Sequence, residues 1–338
     1  MKAAFVKAPF MFEVREVSLR RILPTEVLID VKACGLCGHD LIVANEKDEF
    51  TAFGHEVAGL VIETGDLVSN VKPGDKVVLE SGTFDRFSGN SRNGRVDLDN
   101  QGPNFWERDG ETMGFAERMI VPCECCVAFD GIGYDEASLT EPLGVAMDIF
   151  KTSAIEINQD VLVAGLGPIG LMAARLAIHA GARNVYGCEL SPCRNRIETA
   201  KRWGLKDVIC TDLEDIESYP FPEGGVDRVL VTAPPSFIPV ATRLCNVGGI
   251  VSFIGIDYGS GAMFTLDSNI VHFNKLQIRA SHASPALYFP LCLDLIKNGA
   301  VPAGELITHH FDLESIGAAV DGFRKDRENG IKAVMIND

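Results

Sequence analysis

The 338-residue chain (36.6 kDa) is 46% hydrophobic, long enough for two domains that each bury a core. Its 47 acidic residues outnumber 31 basic ones, and the formal charge of −16 disfavours nucleic acid or anionic membranes as partners. The longest apolar run, residues 161–174, is interrupted by Gly165, Gly167, Pro168 and Gly170 and falls short of the roughly 20 residues a membrane span needs. Ten scattered cysteines, with no secretory-type apolar stretch at the start, are expected to be reduced thiols of a cytoplasmic protein.

Up to about Pro122 the pattern is one of short β-like runs between turn signals: residues 2–6, 27–33, 57–63, 76–80 and 116–121. Cys37-Gly38-His39-Asp40 follows the second run, and Gly54-His55-Glu56 leads into the third. Cys34 ends an apolar strand and reads as core, whereas Cys37 lies beyond it. In Cys123-Glu124-Cys125-Cys126, neighbours on a strand point to opposite faces, so no second metal site is expected there. Glu141-Pro142-Leu143 closes this half.

From about Val145 the rhythm changes. Strands expected at residues 160–164, 184–188, 226–231, 249–254 and 276–280 alternate with helices at 169–180, 194–203, 237–245 and 267–274, which implies a parallel, doubly wound sheet. The first of these strands runs into Gly165-Leu166-Gly167-Pro168-Ile169-Gly170. Gly165 permits the tight turn, Gly167 lets a pyrophosphate approach the backbone, and Gly170 lets the helix pack closely. Pro168 and Ile169 open that helix, whose N-terminus faces the phosphates. Glu189, about 20 residues on, suits a ribose 2′-hydroxyl and repels a 2′-phosphate, which favours NAD over NADP. Arg194 either flanks the adenine or is a solvated helix residue. Thr232 is expected beside the nicotinamide. The tail reads as helix 286–297, strand 306–311, helix 313–323 and strand 332–336.

The order of these motifs resembles that of zinc-dependent medium-chain alcohol and polyol dehydrogenases along nearly the whole chain. Pro73-Gly74-Asp75-Lys76-Val77, Gly114-Phe115-Ala116-Glu117, Gly248-Gly249 and Thr308-His309-His310-Phe311 fall in place with them. The resemblance implies an α/β protein with a GroES-like, β-rich catalytic domain (residues 1–144 and 286–338). A doubly wound, parallel-sheet Rossmann domain (145–285) completes it, with a cleft between the two. It also implies NAD, one catalytic Zn²⁺ per chain, a small hydroxylated substrate and a homodimer or homotetramer.

Cys37, His55 and Glu141 are the zinc ligands the resemblance implies. Thiolate, imidazole and carboxylate fill three corners of a tetrahedral shell and leave the fourth open. Glu56 competes, as a ligand, as a group exchanging with water at the open position, or as the partner of a cation. Asp40 is expected to orient His55 through its other ring nitrogen. His39 stands where relatives carry a serine or threonine that starts a proton relay; it relays the proton, acts as general base or only hydrogen-bonds the cofactor or backbone. Asn45 and His282 are candidate substrate contacts. Many relatives bind a structural zinc through four cysteines in the lobe after residues 73–77, but residues 82–110 contain none, so no structural zinc is expected.

The expected reaction is NAD-dependent, reversible oxidation of a secondary alcohol of a polyol, cyclitol or sugar derivative. Threonine-type amino-alcohol oxidation, zinc-less alkene reduction and non-catalytic NAD sensing are the alternatives.

Overall fold

The computed structural model describes residues 1–106 and 112–337. Residues 107–110 of the polar lobe expected at 82–110 lie outside the described residues. In chain order, β1 (Lys2–Lys7), β2 (Met11–Glu16) and β3 (Glu26–Gly35) lead to α1 (Gly38–Glu46), β4 (Thr51–Ala52), β5 (Glu56–Thr64) and β6 (Lys76–Leu79). Then come α2 (Gly89–Arg92), β7 (Arg118–Pro122), β8 (Cys126–Ala128), α3 (Tyr134–Ser138) and α4 (Thr140–Ser153). The next stretch alternates: β9 (Asp160–Ala164), α5 (Pro168–His179), β10 (Asn184–Glu189), α6 (Arg194–Arg202), β11 (Asp207–Cys210), β12 (Val226–Val231), α7 (Ile238–Leu244), β13 (Cys245–Phe253), α8 (Ser268–Phe273) and β14 (Gln277–Ala280). The chain closes with α9 (Phe289–Lys297), β15 (Ile307–Phe311), α10 (Ile316–Lys325) and β16 (Lys332–Ile336).

Two compact units result. One comprises Met1–Gly144, Ala283–Asp326 and Lys332–Asp338, the other Val145–His282 and Arg327–Ile331. The last of these segments differs from the expected division, and hydrogen bonds explain it. The Asn195 N–H donates to Glu328 O at 2.9 Å, and the Asn195 side chain to Asn329 O at 2.8 Å.

In the first unit a seven-stranded sheet runs β15-β16-β3-β5-β6-β8, with β7 also on β3, and a small sheet runs β2-β1-β4. The central strand is β3, which alternates in burial and pairs antiparallel with β5, β7 and β16. Its Val27, Ile29 and Val31 are fully buried against Val57, Val61, Val77 and Met119. Each such side chain contributes about 1.5–3 kcal/mol by leaving water. In the second unit the strands are all parallel in the order β11-β10-β9-β12-β13-β14. The order reverses at β9, so the crevice beyond its carboxyl end, where Gly165 begins, is the place this topology offers a ligand. β11 is absent from the expected strands: four residues, Asp-Val-Ile-Cys, give too short an apolar signal. Among the described residues no helix is long and apolar enough to cross a membrane.

Cys123–Cys125 form a 3-10 turn, not the strand assumed for them, and only Cys126 begins β8. No metal-ligand group forms there among the described residues. The lobe that follows β6 is organised by buried Asp99, whose Oδ1 accepts the N–H groups of Asp85 and Gln101, both at 3.1 Å.

Beside Cys125, burial alone pushes the Glu80 carboxyl up to about 8. From about pH 4.5 to 8 the folded chain holds a proton that the unfolded chain has released, so stability falls across that window as pH rises. Glu80→Gln is expected to flatten the fall. Thermal melts at about pH 5 and about pH 8.5 check it: the variant should melt higher than the parent only at the upper pH.

Candidate active site

The turn from β3 into α1 is fixed by reciprocal hydrogen bonds. Cys37 Sγ accepts the His39 N–H at 3.4 Å and Asp40 Oδ2 accepts the Cys37 N–H at 2.9 Å, closing a capping box around the start of the helix. Asp40 Oδ1 accepts the Gly54 N–H at 3.2 Å and faces His55 Nδ1 at 3.6 Å, just beyond a hydrogen bond. A single buried carboxylate therefore joins the segment that carries the thiol to the one that carries the imidazole. Gly54, at φ +92°, is required there: a Cβ would lie 2.6 Å from the Phe115 ring.

One ligand atom each from Cys37, His55 and Glu56 lies within 4.8 Å of the others. Glu141, in the first turn of α4, stands outside that set. Burial lifts its carboxyl to about 7 against the pull of His55, with Glu56 adding to the rise and Lys332 opposing it. Burial also disfavours charge on His55, but Cys37 and Asp40 outweigh it and hold its pKa well above the usual value. The Cys37 thiol is raised by burial while His55 draws it the other way.

This arrangement fits a zinc ion. It offers sulfur, nitrogen and oxygen donors together, and Asp40 facing His55 Nδ1 is the kind of partner a metal-bound histidine needs at its other ring nitrogen. An ion would also offset the mutual repulsion of a thiolate and three carboxylates.

Two neighbours escaped the sequence reading. Lys332, buried at the start of β16, contacts the Glu56 carboxylate and donates to Leu36 O at 2.9 Å. Burial works against its charge, yet Glu56 and Cys37 more than compensate and raise its pKa. The one signal was a lysine opening the apolar strand Lys-Ala-Val-Met-Ile. Trp106 puts its ring 4.7 Å from that of His55 and 5.8 Å from that of His39, and no motif marks it. His39 itself is half-buried, 6.1 Å from the His55 ring. Asn45 is exposed in the last turn of α1, roughly 12 Å along the helix from Cys37. His282 is also exposed.

At the nucleotide end, Gly165 adopts φ +90°, and a Cβ on Gly170 would lie 1.9 Å from Gly165 O. The third glycine thus serves the helix's contact with the loop, more directly than its packing on the sheet. Gly167 caps α5, and a Cβ there would meet nothing within 4 Å, which leaves its backbone open to a ligand. Pro168 occupies the first turn, where its missing N–H costs nothing, and Ile169 follows half-buried. The Thr232 hydroxyl donates to Gly165 O at 2.7 Å, so it braces the turn. Glu189 accepts the N–H of Leu166 at 3.1 Å and of Leu190 at 2.8 Å, which sets its carboxylate at the edge of the loop. Arg196, 3.5 Å away, is its cationic neighbour; Arg194 pairs instead with Glu328 at 3.0 Å. An open glycine at a helix N-terminus beside an acid fits a dinucleotide.

Donors for zinc in one unit and a dinucleotide turn in the other define the class, a zinc- and nicotinamide-dependent oxidoreductase. The comparisons agree. Residues 23–131 match the alcohol dehydrogenase GroES-like domain and residues 168–298 the zinc-binding dehydrogenase family. The chain is 30% identical over 317 residues to (R,R)-butanediol dehydrogenase of Bacillus subtilis, covering 87% of each. It is 25% identical to D-xylulose reductase of Saccharomyces cerevisiae, over 99% of this chain and 97% of that one. The crystal structure of 2R,3R-butanediol dehydrogenase from Bacillus subtilis superposes with a TM-score of 0.86 at 26% identity, covering 100% and 99% of the two chains. The protein belongs to the zinc-dependent medium-chain alcohol and polyol dehydrogenases.

Proposed function

We propose that the enzyme catalyses the NAD-dependent, reversible oxidation of a secondary alcohol in a polyol, cyclitol or sugar derivative to the ketone. The observation that carries the reading is the sulfur, nitrogen and oxygen donor group of Cys37, His55 and Glu56 beside half-buried His39. Cys37, His55 and Glu141 hold one zinc per chain, with Glu56 kept by Lys332 as the alternative donor. No second ion is needed in the lobe that Asp99 organises. A Lewis acid and a hydride acceptor are what zinc and NAD supply when bound: one lowers the pKa of the alcohol, the other takes its carbinol hydride.

The chain's own residues do the rest. Asp40 holds His55 in orientation, and His39 carries the hydroxyl proton toward solvent. Glu189 accepts the ribose 2′-hydroxyl and repels a 2′-phosphate. We take the working form to be a cytoplasmic homodimer or homotetramer.

The test is a panel of cyclitols, ring sugars, open-chain polyols and threonine, assayed with NAD and with NADP. Oxidation of polyhydroxylated secondary alcohols, with NAD preferred at least about tenfold, is expected. Turnover of threonine alone, or a preference for NADP, would overturn the assignment.

A further inference from the structure

Trp106 does more in this site than fill space. Its neighbour Phe105 is fully buried, with its ring plane at 12° to the indole, and anchors the segment. The Trp106 backbone N–H donates to Asn104 Oδ1 at 3.1 Å, and Asn104 bridges to Gly82 just beyond β6. The backbone that carries the indole is thus held by the residues before it, and the ring remains partly exposed. It lies tilted by 39° against the His55 ring, and edge-on, at 87°, to His39. A large apolar surface stands directly beside the groups assigned to metal binding and proton transfer, within the same unit.

A polyhydroxylated substrate has two kinds of surface. Its hydroxyls suit polar groups, while the axial C–H bonds of a six-membered ring form a flat apolar face that stacks on an aromatic plane. An open-chain polyol presents such a face only after its torsions are fixed, at a cost in conformational entropy. A simple diol has too few carbons to cover an indole. Indole fits the ring best, because it supplies a large contact area at little entropic cost of its own.

We propose that Trp106 is a substrate-binding residue whose indole takes the C–H face of a cyclic polyhydroxylated substrate, so that cyclitols and ring sugars are preferred to open-chain polyols and small diols. This rests on the alcohol oxidation proposed above and narrows its substrate class.

The test compares myo-inositol, glucose, sorbitol and 2,3-butanediol as substrates for the holoenzyme and for its Trp106→Phe and Trp106→Ala variants. The parent should favour the ring compounds. Trp106→Ala should raise KM for them by about tenfold or more with little change in kcat, leave KM for butanediol nearly unchanged, and Trp106→Phe should fall between. An equal loss on all four substrates, or a fall in kcat alone, would make Trp106 a prop for His55 and overturn the proposal.

A second readout is independent of turnover. The chain has two tryptophans, so in Trp203→Phe the remaining indole emission is that of Trp106. Titration with the ring compound that binds best should change that emission saturably, and sorbitol should do so only at higher concentration. If no alcohol is oxidised, the proposed function falls, and this titration alone decides the role of Trp106: a saturable change sustains it, and no change with either ring compound rejects it.

Discussion

Cys37→Ala should yield a folded protein that still binds the dinucleotide but has lost its metal and its turnover. The thiol has two roles that the variant removes together. As the cap of α1 it accepts the His39 N–H, and losing a cap costs about 1 kcal/mol. As the sulfur of the Cys37, His55 and Glu56 group it is the soft donor. Zinc content should fall from about one per chain to near zero, and kcat/KM by at least about a thousandfold, since the Lewis acid goes with the ion. The glycine turn and Glu189 lie in the other compact unit, so NAD affinity should hold within about twofold by fluorescence titration. Cys37→Ser separates the two roles: the hydroxyl restores the cap and most of the stability, yet the metal should remain largely absent. Loss of NAD binding in Cys37→Ala, or a full complement of zinc without the thiol, would defeat the assignment.

How much of this was legible in the sequence depended on how locally each feature is encoded. β9 coincides with its expected span because five consecutive buried residues run straight into Gly165, which turns the chain at positive φ. The Asp40 contacts were readable in kind, since a cap and a histidine partner are short-range demands. Glu56 beside Cys37 was weighed only as a competitor; its place follows from pairing with Gly35, where a Cβ would lie 2.0 Å from Glu56 Oε2. Lys332 was beyond reach. It lies 296 residues from Leu36, and only the pairing of β16 with β3 brings the two together. Trp106 sits in a lobe held by side chain to backbone hydrogen bonds, which carry no periodic signal. Asn45 was singled out as a polar residue after the ligand turn; it lies exposed in the last turn of a nine-residue helix, a placement set by how far that helix runs.

Lys332→Met should move stability, metal retention and turnover in a pattern that a merely structural lysine would not produce. Lys332 and Glu56 are both almost fully buried, and the lysine also donates to Leu36 O. Removing the ammonium leaves a carboxylate in the interior without its cation, which costs about 3–5 kcal/mol. With metal removed by chelation, the variant should therefore melt well below the parent. Glu56→Gln combined with Lys332→Met should recover much of that loss, because neither charge is then buried alone.

Added zinc should rescue Lys332→Met more than it rescues the double variant, since the freed Glu56 carboxylate gains a cation it can bind. That same gain should slow the loss of zinc to a chelator while turnover falls, because a fourth protein donor competes for the position a substrate needs. Retention rising as activity falls is the diagnostic result. If Lys332→Met without metal melts like the parent, Glu56 is not a carboxylate held by the lysine. If zinc leaves the variant faster than the parent, Lys332 supports the metal site without restraining Glu56.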